Sequence, residues 1–204
     1  TFFDLYEMPH PFVTFVVPSI GRHTVNRALL SIQNQTDGDW GAVVVFDGIL
    51  NGKSLLSPSV WSDPRVMILE IERVGKSNHG ANVRNAGVRR AVSEWVAFLD
   101  DDDTLSPDYV AKLRSESALH PEARVVVFRM HNSDGRVLPP PHVEDASGLT
   151  RGAVGISFSV KTELFQREGM RFYPSSTEDF DFLARVIKSG NMVHLSRFVL
   201  YFVR

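Results

Sequence analysis

The chain alternates short apolar runs with longer amphipathic stretches, and this alternation restricts its fold more than any other feature. Most runs are rich in valine and phenylalanine, as buried β-strands are, whereas the intervening stretches place apolar residues at helical spacing. The pattern predicts an α/β domain with a mainly parallel sheet. The predicted strands are residues 12–17, 42–46, 66–71, 95–99, 123–130, 155–162 and 198–203, and the predicted helices are residues 23–33, 81–93, 178–189 and one beginning at Pro107.

Composition excludes several classes of protein. The net charge of −2 argues against a nucleic-acid binder with a broad basic surface. No apolar run approaches the roughly 20 residues of a transmembrane helix. The chain has no cysteine, which excludes disulfides and zinc–thiolate sites and fits a reducing compartment. The expected location is therefore cytoplasmic, as a soluble chain, a protein at the membrane surface or a part of a longer chain.

Polar residues follow three of the predicted strands, where α/β proteins bind ligands. They are residues 19–22, Asp47 and the aspartate run of residues 100–103. Adjacent carboxylates repel one another unless solvent or a cation neutralises them. An isolated run would be a solvated turn that caps the next helix, but its place directly after a buried strand favours a divalent metal site. Asp100 and Asp102 would point the same way if the run were extended.

Two further positions each have a structural and a functional interpretation. Asp47-Gly48 is a common turn sequence, but the carboxylate would also accept a hydrogen bond from a nucleobase imide. Arg84, one turn into a predicted helix, is either a salt-bridged surface residue or a ligand for a nucleobase or diphosphate. Lys76 and His79 are weaker candidates beside it.

Glu178 and Asp179 open the last predicted helix. Acidic residues favour the first helical turn because of the helix macrodipole, so a purely structural role is sufficient to explain them. A carboxylate here could equally serve as a general base that deprotonates an attacking hydroxyl. The residues alone leave both roles open.

The order of these motifs resembles the family-2 glycosyltransferases of GT-A fold. In that family the first strand leads into Pro-Ser or Pro-Thr with a nearby arginine, and the next helix ends in Gln-Thr. The resemblance covers nearly the whole chain. It is carried by VVPSIGR at 16–22, SIQNQTDGDW at 31–40, VVVFDG at 43–48, RNAG at 84–87, VAFLDDDDTLSPDY at 96–109 and TEDFDFLARV at 177–186.

The resemblance implies a single GT-A (Rossmann-like) domain over residues 1–204, with a mixed, mostly parallel central sheet flanked by helices. The nucleotide-binding half would span residues 10–105 and the acceptor and catalytic half residues 106–204, as approximate limits. Its activity would be metal-dependent, inverting transfer of a sugar from a nucleoside-diphosphate sugar, most often UDP-linked in the family. The acceptor would be a hydroxyl of a glycan or glycoconjugate, and the cofactor Mn²⁺ or Mg²⁺.

Roles in donor binding follow from the same resemblance. Asp47 would hydrogen-bond the nucleobase, with Pro18 and Ser19 packed around it. Arg22 would belong to the same nucleotide site, and Arg84 would lie near the base or the diphosphate.

The catalytic and metal-binding roles would fall to the acidic motifs. Asp100 and Asp101 would face the ribose and the sugar, and Asp102 would bind the metal directly, with Asp100 as a further metal ligand. Asp179 would be the general base, with Glu178 beside it.

The chain departs from the family pattern at two points. Phe46 stands where the family often has the first aspartate of Asp-Asp-Gly, which leaves Asp47 to act alone. The family often has a basic or histidine-containing segment after the last strand, and this sequence stops at Arg204, so a third metal ligand and part of the acceptor site are expected to lie outside it. His194 is a candidate third metal ligand, although a structural histidine explains it equally well.

Three other functions compete with this interpretation. A nucleotidyltransferase would use similar carboxylates, but PSIGRHT at residues 18–24 is a poor triphosphate loop. A sugar-nucleotide-binding module with a degenerate active site would explain Phe46. A dinucleotide-dependent oxidoreductase is disfavoured because no Gly-x-Gly-x-x-Gly follows the first strand.

Overall fold

The computed structural model describes residues 10–75 and 78–204 and confirms an α/β fold built on one mixed sheet. The strand order is β3-β2-β1-β4-β8-β6-β9-β5, with β7 paired to β6. Only β5, β7 and β8 run against the other strands, so the sheet is mostly parallel. The strands are β1 (Val13–Ser19), β2 (Trp40–Asp47), β3 (Val66–Ile71), β4 (Trp95–Phe98), β5 (Thr104–Leu105), β6 (Ala123–His131), β7 (Val137–Leu138), β8 (Phe158–Lys161) and β9 (Met192–Phe202). The helices are α1 (Val25–Gln33), α2 (Pro58–Trp61), α3 (Ala81–Val88), α4 (Tyr109–Leu119), α5 (Thr162–Gln166) and α6 (Glu178–Lys188).

The parallel strands β1 to β4 bring three polar segments to one edge of the sheet. The sequence predicted that β1 would stop before Pro18, but it continues to Ser19. The Leu99 N–H donates to the Val16 carbonyl, so the backbone polar groups of Val16 face β4. Because these groups alternate sides along a strand, the nitrogen of Pro18, two residues on, also faces β4. The paired part of β4 ends at Phe98, so the ladder between β1 and β4 has already ended where Pro18 lacks an N–H donor.

Helix α3 lies close against the parallel strands because its motif supplies a glycine at the contact. A Cβ on Gly87 would lie 2.4 Å from a methyl group of Val16 and 3.1 Å from one of Val45. The helix ends at Val88, five residues before the predicted end. Directly after the helix, the Arg90 N–H donates to the Gly87 carbonyl and the Ala91 N–H to the Val88 carbonyl, which closes a tighter final turn before the chain enters β4.

Strand β9 begins earlier than the sequence indicated, because a bulge interrupts the apolar pattern of the strand. Val127 pairs with Leu195 and Arg129 with Val199, so β9 contributes two extra residues between these pairs. Ser196 and Arg197 fall in this irregular stretch and interrupt the apolar pattern. The prediction therefore began the strand at residue 198 rather than at Met192.

An aromatic cluster fixes the start of α6 against the sheet. Phe182 of α6 stacks on Phe158 of β8 with ring centroids 5.7 Å apart and on Phe172 with centroids 4.5 Å apart. Phe98 of β4 packs edge-on against Phe172 at 5.0 Å. These buried rings hold the acidic first turn of α6 near the carboxyl end of β4. None of the helices within the described ranges is long and apolar enough to cross a membrane.

Candidate active site

A cleft of about 470 Å³ lies at the carboxyl ends of β1, β2 and β4. The residues that the resemblance assigned to nucleotide and metal binding line it, whereas the further candidate His194 does not. Glu178 and Asp179 do not line the cleft and lie beyond Arg84. The lining also includes residues that the sequence analysis did not single out. The full set is Pro18, Ser19, Ile20, Arg22, Asp47, Arg73, Gly75, His79, Gly80, Val83, Arg84, Asp100, Asp101 and Asp102.

The aspartate run forms a turn rather than the extended segment that would align alternate side chains. The Asp103 N–H donates to the Asp100 carbonyl at 3.1 Å. Alternate residues nevertheless differ in exposure, since Asp101 and Asp103 are buried, whereas the side chains of Asp100 and Asp102 are 37% and 41% exposed. The two accessible carboxylates are therefore the two predicted metal ligands.

The end of β1 holds Asp101 in place. The Ser19 hydroxyl donates to Asp101 Oδ2 at 2.7 Å, and Arg22 Nη1 donates to Asp101 Oδ1 at 2.9 Å. Arg22 Nη1 also lies 2.6 Å from Asp102 Oδ2. Burial raises the pKa of Asp101, against the opposing effects of Ser19 and Arg22. Ser19 and Arg22 thus bind the run itself, which the sequence did not predict.

The end of β9 holds the other buried aspartate. The Tyr201 hydroxyl donates to Asp103 Oδ2 at 2.8 Å and accepts from the Asp100 N–H at 3.1 Å. The Arg204 N–H donates to Asp103 Oδ1 at 3.1 Å. Burial raises the pKa of Asp103 to about 6 despite the bond from Tyr201. Tyr201 was missed by sequence reasoning, since nothing near it in the chain marks its contact 98 residues away.

Arg84 is a buried link between the aspartate run and α6. Its guanidinium donates to Asp100 Oδ1 at 2.6 Å and to Glu178 Oε1 in a buried ion pair. Burial disfavours the charged guanidinium, but Asp100, Asp179 and Glu178 together raise the pKa of Arg84, so it stays protonated. Gly80 leaves room for this group, since a Cβ there would lie 2.5 Å from Arg84 Nη1. Arg84 is therefore a buried, salt-bridged residue and not a solvated one, and its role as a ligand for the base or diphosphate stays a prediction.

The two acidic residues of α6 differ in their surroundings. Glu178 is buried against Arg84, and burial raises its pKa to about 8 although Arg84 opposes the shift. Burial likewise raises the pKa of Asp179 to about 6, opposed by Arg84 and reinforced by Asp100. Asp179 Oδ1 is buried without a hydrogen-bond partner among the described residues. Asp179 is thus a carboxyl group with a pKa near neutrality and an unused acceptor atom.

Asp47, the last residue of β2, also lines the cleft. Its Oδ1 accepts a hydrogen bond from the Val74 N–H at 2.8 Å, and its other oxygen accepts none from any residue in the described ranges. Arg73 and His79 also line the cleft, and the His79 carbonyl accepts a hydrogen bond from Arg84 Nη1 at 3.2 Å. Arg73 lies two residues after the end of β3, and a cation near a strand end was a signal that the sequence analysis overlooked. Lys76 lies outside the described residues.

The accessible carboxylates fit a divalent cation. Asp100 uses only Oδ1 to bind Arg84, and Asp102 uses only Oδ2 to bind Arg22, so each has an oxygen that accepts no hydrogen bond from the described residues. Oxygen ligands of this kind, shared with phosphate oxygens, suit Mn²⁺ and Mg²⁺. His194 does not join them. It lies seven residues before Tyr201 on β9, about 20 Å along an extended strand.

The chain matches the model of one protein family, described as glycosyl transferase family 2, over residues 14–188. It is 25% identical over 189 residues to a Haemophilus influenzae protein described as an uncharacterized glycosyltransferase, covering 86% of this chain and 62% of that protein. More generally, the chain spans between 29% and 62% of the length of the curated relatives it matches.

Solved structures share the fold at low sequence identity. TarS from S. aureus, residues 1–349, superposes with a TM-score of 0.76 at 17% identity, over 94% of this chain and 60% of that one. TarS has also been solved with UDP-GlcNAc. The mannosyltransferase PcManGT from Pyrobaculum calidifontis, in complex with GDP-Man and Mn²⁺, superposes with a TM-score of 0.66 at 20% identity, over 95% of this chain and 56% of that one.

Proposed function

The chain belongs to glycosyl transferase family 2, and from that premise we propose that it catalyses metal-dependent, inverting transfer of a sugar from a nucleoside-diphosphate donor to an acceptor hydroxyl. One observation carries the proposal. Asp100 and Asp102 are the accessible members of the aspartate run, line the cleft and each keep an oxygen free for a cation. Residues 10–105 would bind the donor, and residues 106–204 would supply the base and part of the acceptor site.

The donor diphosphate would lie in the cleft between the aspartate run and the arginine side chains that line it. A divalent cation on Asp102 and Asp100 supplies charge stabilisation to the departing diphosphate. Arg22 and Arg73 line the same cleft and would add donors to its phosphate oxygens. Ser19 and Tyr201 would keep the run in its turn while the charge develops, so that the site need not reorganise during the reaction.

Asp179 would act as the base. In a single displacement the acceptor attacks from the face of the sugar opposite the diphosphate, so the base need not line the diphosphate cleft. The pKa of about 6 leaves Asp179 ionised at neutral pH and basic enough to take a proton from the attacking hydroxyl. Glu178 would position Arg84 and Asp100 rather than contact the acceptor.

The nucleobase is proposed to be uracil. The free oxygen of Asp47 would accept a hydrogen bond from the single imide N–H of that base. The other oxygen already accepts a hydrogen bond from the Val74 N–H, which holds the carboxylate in place. TarS, which binds UDP-GlcNAc, superposes better than the GDP-Man-binding PcManGT, which supports a UDP-linked donor. Guanine also presents an imide and is the alternative to be tested.

The direct test is a screen of UDP- and GDP-linked sugars with and without Mn²⁺. We expect one UDP-sugar with Mn²⁺ to raise the melting temperature, because a ligand at a hundred times its Kd stabilises the fold by about 2.7 kcal/mol. The same donor should release UDP slowly by hydrolysis. Release of pyrophosphate from a nucleoside triphosphate would instead identify a nucleotidyltransferase. Binding without any release of UDP would identify a degenerate module.

The rate of transfer should depend on pH through Asp179. The base must be deprotonated to work, and its pKa is raised from 3.8 to about 6. A plot of log kcat against pH should therefore rise with unit slope below about pH 6 and level off above it. Initial rates at saturating donor between pH 4.5 and 9 would measure this, as an approximate working range. The pKa of Asp103 is also raised to about 6, so persistence of the limb in the residual activity of Asp179→Asn would assign the titration to Asp103. A limb centred near 8 would assign it to Glu178, and a flat profile would contradict the role of Asp179.

A further inference from the structure

A second group of metal-binding side chains lies at the far end of β9 from the aspartate run. Glu116 and His120 are one helical turn apart at the C-terminal end of α4, and His194 lies near the start of β9. One ligand atom from each lies within 4.8 Å of the others. His194 Nε2 is 2.7 Å from Glu116 Oε2, and the imidazole rings of His120 and His194 stack with centroids 3.7 Å apart.

Glu116 is the member that ordinary packing explains least. It is 8% exposed, and within residues 10–75 and 78–204 the only basic side chain within 4.0 Å of its carboxylate is His194. It also lies in the last turn of α4, where the helix macrodipole disfavours negative charge and favours a cation. A buried carboxylate at this position needs a positive partner, and a metal ion bound by the neighbouring imidazoles would supply one.

The second imidazole favours the metal. Two imidazoles and one carboxylate are a ligand set typical of zinc, whereas Mg²⁺ and Mn²⁺ prefer oxygen. We propose that Glu116, His120 and His194 bind one zinc ion, with a fourth position open to water.

One imidazole must tilt to close the site, because the rings of His120 and His194 are 21° from parallel and their in-plane nitrogen lone pairs do not converge on one point. Tetrahedral ligand atoms about 2.1 Å from zinc are about 3.4 Å apart, and one pair already lies closer than this. His120 is 39% exposed and has room to turn toward the other two. Glu122 Oε1 lies 3.9 Å from His120 Nδ1 and would orient that ring as an outer hydrogen-bond partner.

The zinc would connect two elements that both lead to the active site. Helix α4 begins at Tyr109, shortly after the aspartate run, and β9 continues to Tyr201, which contacts that run. The ion would therefore hold the scaffold rather than take part in transfer. This inference does not depend on the proposed function.

Metal titration of the full chain, freed of any histidine tag and stripped with a chelator, tests the site. We expect one Zn²⁺ per chain in competition with a chromogenic chelator, and Co²⁺ should give the intense visible bands of a tetrahedral complex. His120→Gln and His194→Gln should each weaken Zn²⁺ binding by at least about 100-fold. His142→Gln, at an exposed histidine outside the cluster, should leave it unchanged.

Three results would overturn the site. Undiminished Zn²⁺ binding in His120→Gln would show that the cluster is not the binding site, and this exposed position keeps the test valid if His194→Gln fails to fold. Loss of Zn²⁺ binding in Asp102→Ala would place the ion at the aspartate run. Absence of any tetrahedral Co²⁺ spectrum in the native chain would leave a hydrogen bond between His194 and Glu116 and no metal.

Discussion

Asp179→Asn leaves donor binding nearly intact and lowers kcat for transfer by about 10²- to 10⁴-fold, because the acceptor hydroxyl loses its proton acceptor. The amide keeps the shape of the carboxyl group but cannot take a proton. Folding should not suffer. The pKa of Asp179 is raised by burial, so its ionised form costs stability at neutral pH and the neutral amide removes that cost. Calorimetry with the donor and initial-rate measurements would separate binding from turnover.

A matched control lies two residues along the same helix. Asp181 is also in the acidic first turn of α6 but binds Ser175, Thr177 and Arg151 instead of facing Arg84. Asp181→Asn removes the same charge from the helix N-terminus, so it should reproduce any helix effect and retain turnover. Normal turnover by Asp179→Asn, or equal loss in both variants, would refute the assignment of Asp179 as the base.

The second large effect is expected at Asp102. Asp102→Ala should remove the increase in UDP affinity that Mn²⁺ produces, because the variant lacks the proposed direct ligand and affinity for the metal should fall by about 100-fold or more. Calorimetric titration of UDP in the presence and absence of Mn²⁺ measures the difference. The affinity of the variant with Mn²⁺ should equal its affinity without Mn²⁺.

Two controls separate the metal from the ion pair that Asp102 makes. Arg22→Met removes the cation that binds Asp102 but leaves both carboxylates, so some dependence on Mn²⁺ should persist. Asp134→Ala removes an exposed aspartate paired only with Arg136, and the effect of Mn²⁺ should be that of the native chain. An Asp102→Ala protein that still binds UDP more tightly with Mn²⁺ would exclude Asp102 as the ligand.

The parts of the fold with strong local signals could be predicted from the sequence. The apolar runs that form β1, β2 and β4 are continuous because these strands are buried on both faces of the sheet. The edge strand β3 is partly exposed, but it matched its predicted limits of residues 66–71. The elements that were missed are short, such as α2, β5 and β7, or interrupted, such as β9 with its bulge. In these, pairing with distant residues outweighs local preference.

The candidate site was predictable as a set of residues but not as a set of contacts. Polar residues at strand ends must meet in a parallel sheet, which is why Asp47 and the aspartate run share one cleft. The partners that fix them come from far along the chain. Glu178 is 94 residues from Arg84 and Tyr201 is 101 residues from Asp100, and no spacing rule connects positions so far apart.

The link from Arg84 to both Asp100 and Glu178 has a consequence for how the protein is made. The strands β1 to β4 are all synthesised before residue 99, whereas α6 and β9 follow only after residue 177. Until Glu178 follows, Arg84 has only Asp100 to offset its charge, and until Tyr201 follows, Asp103 has no hydroxyl to bind. The proposed reaction centre therefore depends on contacts that cannot form before Glu178 and Tyr201 have been synthesised, later than the strands that form the nucleotide cleft.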